Sequence, residues 1–124
     1  MPSYMLQVSY TPEAWEAMCE TPAQCMPSKT IRPVLEALAK LGKFQVQFVK
    51  GWGTMGDYDA VAIVTAKDHV QASAVAFALL GRARLQLRGQ PVKTFKSVKT
   101  TPLLDPDQNE TEEAFELAGQ YKPS

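Results

Sequence analysis

The stretch "KFQVQFVKGWGTMGDYDAVAIVTA", Lys43 to Ala66, decides the fold. Its first part alternates: Phe44, Val46 and Phe48 fall on one side, Gln45, Gln47 and Val49 on the other. That period of two is a strand pattern. "YDAVAIVTA" follows as a second strand, apolar enough to be central. Between them "GWGTMGD" reads as a glycine-rich turn, because Gly51, Gly53 and Gly56 allow backbone angles closed to other residues. Asp59 lies within that second strand on alternation, on the face of Val61 and Ile63 and opposite Ala60, Ala62 and Val64. A carboxylate there has to sit at the end of the sheet, hydrogen-bonded or paired, or carry a large desolvation cost.

Outward from this pair the pattern changes period. Upstream, "SYMLQVSY" (Ser3 to Tyr10) is a half-buried strand with Tyr4, Leu6, Val8 and Tyr10 on one face. "TPEAWEAMCE" then starts a helix: Thr11 caps, Pro12 suits the first helical position and Glu13 favours the dipole. Its apolar stripe reads as Trp15, Met18 and Cys19. Prolines at 22, 27 and 33 predict an irregular loop over 21–33. Ser28 or Thr30 is placed to cap the next helix, with Ile31, Val34, Leu35, Leu38 and Leu41 at helical spacing and Gly42 as its stop. Downstream, Asp68 caps a helix ending at Gly81, with Val70, Ala74, Phe77 and Ala78 on one face. A last strand falls over Pro91 to Val98, and "NETEEAFELAGQY" makes a terminal helix in an acidic tail. The sum is an α+β, ferredoxin-like split β-α-β-β-α-β: an antiparallel sheet with both helices on one face. The domain is expected over 1–100 and the tail over 101–124.

Composition narrows the function classes. Thirteen basic residues balance thirteen acidic ones among 124, so no broad nucleic-acid footprint is expected. No leader pattern opens the chain, and the longest apolar run, "ASAVAFALLG", is half of what spans a bilayer. A cytoplasmic protein without membrane contact is expected, with Cys19 and Cys25 as reduced thiols. One histidine and unpaired cysteine spacings predict no metal site. No cofactor is expected, and "GWGTMG" lacks the Lys-Ser/Thr ending of a phosphate loop.

The uncovered sheet face, with Met5, Gln7, Ser9, Gln45, Gln47 and Val49, is mixed in polarity. Such faces often pack against a second copy, so a homodimer or higher homo-oligomer is expected.

Gly56, Tyr58 and Asp59, with Asp57 inserted to give "GDYDAVAIV", resemble the motif that names the GYD domain family of small, mostly bacterial proteins. "YMLQVSYTPE", "ALAKLGKFQVQFV" and "RGQPVKTFKSV" fit in the family's order, so the resemblance covers about residues 4 to 98. The resemblance implies the ferredoxin-like fold and an assembly like the dimeric α+β barrels, in which two sheets pack face to face. It implies no reaction. The 21–33 segment is longer and richer in proline than the family's usual first helix.

Asp57 suits an Asx-turn and Tyr58 a strand start, so the first reading of the motif is structural. The functional reading is a pocket lined by Tyr4, Trp52, Tyr58, Asp59 and His69, with Tyr10 nearby. There Asp59 would serve as a base and Tyr58 as a donor. The expected function is an oligomeric small-ligand-binding or regulatory module. The alternatives are a dimeric-barrel type oxygenase or isomerase, and a structural or protein-interaction subunit.

Overall fold

The computed structural model describes residues 1–104 and 109–123. Four strands form the main sheet: β1 (Ser3–Tyr10), β2 (Val46–Gly53), β3 (Ala60–Ala66) and β6 (Phe95–Leu103). Their order is β2-β3-β1-β6, all neighbours antiparallel, which is the split βαβ arrangement expected. Helices α1 (Pro12–Glu20), α2 (Pro27–Thr30), α3 (Arg32–Lys40) and α4 (His69–Arg82) follow the strands, and α5 (Glu110–Ala118) lies in the tail. A separate hairpin, β4 (Arg84–Leu87) with β5 (Gln90–Lys93), precedes β6.

The period-two reading of β1 holds residue by residue. Tyr4, Leu6, Val8 and Tyr10 are buried against the helices, as are Ala60, Ala62, Val64 and Ala66 on β3. The three alanines let helices come close to the sheet, and Ala14, Ala17, Leu35, Ala72, Val75 and Leu79 fill the layer between. Thr11 caps α1 as expected, its hydroxyl accepting from the Ala14 N–H at 3.0 Å. Asp68 caps α4 in the same way, accepting from the Gln71 N–H at 2.9 Å.

Several expectations need correction. The segment 21–33 is a stair of helical pieces: a single 3-10 turn (Pro22–Gln24), α2 and α3, each with proline in its opening turn. Proline lacks an N–H that a first turn would leave unpaired, so it starts helices as readily as it ends them. Neither Ser28 nor Thr30 caps α3, whose N-cap is Ile31. Thr30 is buried and its hydroxyl meets the Tyr10 hydroxyl at 3.2 Å. On α1 the buried residues are Ala14, Ala17 and Met18, while Trp15 and Cys19 are exposed. On α4 the buried face is Ala72, Val75, Ala76 and Leu79, leaving Val70 and Phe77 to solvent. That helix is apolar almost all round, and the narrow side with alanines is the one that fits the sheet.

Strand β2 runs on through Gly53, into what reads as a turn. The pairing with β3 slips between Phe48 and Lys50, so Lys50 opposes Ile63, Gly51 opposes Ala62 and Trp52 opposes Val61. This bulge resets the alternation and turns Gly51 toward the helices and Trp52 toward the open face. Strand β3 begins at Ala60, with Tyr58 and Asp59 just before it rather than inside it. The hairpin β4–β5 replaces the first part of the expected last strand. Arg88 and Gly89 both have positive φ, 52° and 80°, which is the tight two-residue loop that matches strand twist. Arg88 reaches back to α1 and pairs with Glu16 at 2.7 Å and Glu20 at 2.9 Å. Strand β6 continues to Leu103, three residues beyond the expected domain limit of 100.

Candidate functional site

The residues read from the sequence as a site fall at two ends of β1. Tyr4 and Asp59's partner Tyr10 are six residues apart on that strand, about 20 Å. At one end stand Tyr4 and His69; at the other Tyr58 and Asp59, with Trp52 on the neighbouring strand.

Asp59 closes the sheet where β3 begins. Its N–H donates to the Val8 carbonyl at 2.8 Å and its own carbonyl accepts from the Thr54 N–H at 3.0 Å. Its Oδ2 accepts from the Tyr10 N–H at 2.9 Å. The Thr54 hydroxyl donates to the Tyr58 carbonyl at 2.8 Å, tying the loop across its mouth. The question raised by a carboxylate beside an apolar run has a structural answer: it satisfies a backbone donor at the end of β1. Asp59→Ala should therefore lower folding stability by about 1.5 kcal/mol, whereas Asp59→Asn, which keeps an acceptor oxygen, should cost about a third of that. Urea unfolding of the two variants checks the difference.

Tyr10 is buried, stacked on Phe95 at 5.4 Å between centroids and edge-on to Trp15 at 5.6 Å. Burial pushes its phenol above the usual tyrosine value; the Thr30 hydroxyl opposes this and the Asp59 carboxylate adds to it. Burial likewise raises Tyr4, with a smaller push from Asp68. The Tyr4 hydroxyl meets His69 Nδ1 at 2.9 Å, and the two rings are edge to face at 5.8 Å. With a neutral imidazole the phenol donates and Nε2 carries the proton. His69 is exposed at the start of α4.

Both tyrosines hold their protons more tightly folded than unfolded. The stability this gives is fully present below the unfolded value of about 10 and is lost as pH rises through the folded values. The urea midpoint should be flat from pH 7 to 9 and fall by pH 11. Tyr10→Phe should remove part of that fall.

The open face of the sheet lies opposite the helices. Register places Met5 beside Ile63 and Thr101, Gln7 beside Val61 and Lys99, and Ser9 beside Ser97. Met5, Gln7, Val61 and Ile63 are half-buried there, while Lys50 and Trp52 are exposed on the edge strand. Lys50 Nζ stands 5.3 Å from the Trp52 ring centroid, a cation–π pair. Neither the bulge nor the Lys50–Trp52 pair is visible from strict alternation, which places Val49 on this face instead.

Three concavities mark the helical side. One of about 330 Å³ lies between α3 and β2, lined by Arg32, Glu36, Gln47 and Phe48. One of about 400 Å³ lies between α3 and α4. One of about 440 Å³ lies on α4 beside His69 and Phe77. None of these three is lined by Tyr58 or Asp59. Among the described residues no group of three or more His, Cys, Asp or Glu side chains stands close enough to hold a metal, and no helix is long and apolar enough to cross a membrane.

The GYD domain family model matches residues 4–109. No curated protein and no solved structure matches the chain.

Proposed function

Since this chain belongs to the GYD domain family, we propose that it acts as a homodimeric small-ligand-binding module whose two sheets pack through their open faces. The observation that carries this is the face itself: half-buried Met5, Val61 and Ile63 at its centre, with Lys50 and Lys99 on its two edge strands. Apolar centre and charged rim is the anatomy of an interface. Four strands of about eight residues make a surface of about 19 by 26 Å. With the relief of its side chains this approaches the roughly 800 Å² per partner that a stable dimer buries. A second copy is the occupant that this face suits, because the same patch serves both sides and every lysine stays at the margin.

The ligand would lie at the corner formed by Trp52 and Tyr58, roofed by the partner. An exposed indole beside the Lys50 ammonium suits a small planar anion. Tyr4 and His69, at the far end of β1, would then belong to the helical side of the fold rather than to this corner.

Native mass spectrometry of freshly purified protein, gentle and then denaturing, tests both halves. A dimer carrying extra mass that leaves on denaturation supports the proposal. A bare dimer retains the assembly and removes the ligand. A bare monomer at micromolar concentration overturns the assembly.

A further inference from the structure

The neutral chain is a composite of two opposite charges. Six of its thirteen acidic residues but only one lysine fall within residues 105–124, so the tail carries −5 and residues 1–104 carry +5. Within that tail, Ala114, Leu117, Ala118 and Tyr121 recur at the i, i+3, i+4, i+7 spacing of one helix face. The turn of α5 continues far enough to include Tyr121, whose N–H donates to the Ala118 carbonyl at 3.1 Å. No residue of α5 is buried; Leu117 is 66% and Tyr121 77% exposed. Glu112 and Glu116 occupy the opposite side of the same helix, and Glu113 flanks the stripe. An exposed apolar stripe with a carboxylate at its edge is half of a helix-in-groove contact.

The other half is on the body. The concavity of about 400 Å³ between α3 and α4 is walled by Val34, Leu38, Leu41 and Ala78, and its charged lining residues are Arg82 and Arg84. Leu41 is 65% exposed in it. The Arg84 guanidinium donates to the Ala83 and Gly81 carbonyls at 2.8 and 3.3 Å, which fixes that cation at the mouth. Both arginines are exposed.

We infer that α5 of one copy lies in the α3–α4 groove of a second copy, Leu117 and Tyr121 against Leu38 and Leu41, with Glu113 at the edge of the stripe facing Arg82 and Arg84. Three features match: an apolar stripe meets an apolar groove, an acidic segment with Glu113 beside its stripe meets two guanidiniums, and a helix of nine residues, about 14 Å, meets a groove walled by another of nine. The occupant comes from a second copy because α5 leaves its own stripe exposed rather than laid on its own groove. The groove lies on the helical side, opposite the open sheet face, so this contact is separate from the sheet-to-sheet dimer and links copies beyond it.

Disulfide trapping in the full-length chain tests this. In a Cys19→Ser, Cys25→Ser background, Leu41→Cys is placed on one copy and Leu117→Cys on another of different isotopic mass; both positions are exposed, so neither substitution disturbs the core. After mild oxidation of the mixture, the expected result is a mixed-mass disulfide at least 10-fold above that formed when Lys67→Cys replaces Leu41→Cys. Adding Arg82→Glu, or raising salt from 50 to 500 mM, should lower the yield several-fold. Mixed-mass yield equal to the Lys67→Cys control overturns the inference. So does a doubly substituted chain, Leu41→Cys with Leu117→Cys, that closes only on itself. Repeating the assay with Met5→Lys in both copies separates the two contacts: trapping persists if the sheet dimer is lost or never formed.

Discussion

Met5→Lys should break the proposed sheet-to-sheet dimer, weakening that contact at least about 100-fold, about 2.7 kcal/mol. Met5 sits on central strand β1, on the open face, with Ile63 and Thr101 directly across from it. In one chain a lysine there has uncharged cross-strand neighbours and can extend into water, so the fold itself should tolerate it. Between two packed sheets it has no such exit. In the proposed two-fold dimer each substitution would enter twice, and each buried ammonium would lack an acidic partner because the face carries lysines and amides. Sedimentation equilibrium reads the association, and urea unfolding of the monomer reads the fold. A dimer of unchanged affinity would place the interface elsewhere on the surface. The control Met5→Leu should keep the dimer.

The sequence was most legible where the cause of structure is local. The alternation of β1, the Thr11 and Asp68 caps and the Gly42 stop each act within a few residues, and each is found where those residues put it. The same holds for Asp59. The cost of a bare carboxylate beside "AVAIV" already demanded a hydrogen-bonded position at the sheet's end, and the Tyr10 N–H supplies it. Reading failed where the cause is distant. Which side of α4 faces the sheet depends on alanines fitting against the alanines of β3, and an all-apolar helix offers no periodicity to reveal it. The Tyr4–His69 contact joins residues 65 apart, so nothing in the local pattern reports it. The Arg88–Gly89 loop carries a signal, a glycine between two short alternating runs, which the expectation of one last strand over Pro91 to Val98 passes over. The hairpin accommodates that proline because it is two strands alone, with an outer edge that needs no donor.

Gly51→Val should be the most damaging single change among those predicted here, lowering stability by about 3 kcal/mol, with Gly51→Ala costing about 2. The "GWGTMG" run suggested glycines chosen for turn angles, yet Gly51 lies within β2 and its φ is not positive. What requires glycine is space. A Cβ built there would come within 2.5 Å of Pro27 Cβ and 3.1 Å of the Phe48 ring. Pro27 is buried at the opening of α2, so it is wedged directly onto the β2 backbone and its ring cannot rotate aside. The Phe48 ring in turn lies under the Arg32 guanidinium at 4.9 Å, which limits its movement as well. Any side chain at 51 must therefore push α2 off the sheet, along with the Tyr10–Thr30 hydroxyl contact that α2 carries. Gly53 is the matched control: nothing stands within 4 Å of its added Cβ, and Gly53→Ala should leave the urea midpoint nearly unchanged. In a Pro27→Gly background Gly51→Ala should cost less than in the native chain, a partial recovery, because glycine removes both Pro27 Cβ and Cγ, the proline atoms nearest the new methyl. Recovery of that kind would assign the glycine to the close approach of α2, whereas equal losses at 51 and 53 would return it to the turn.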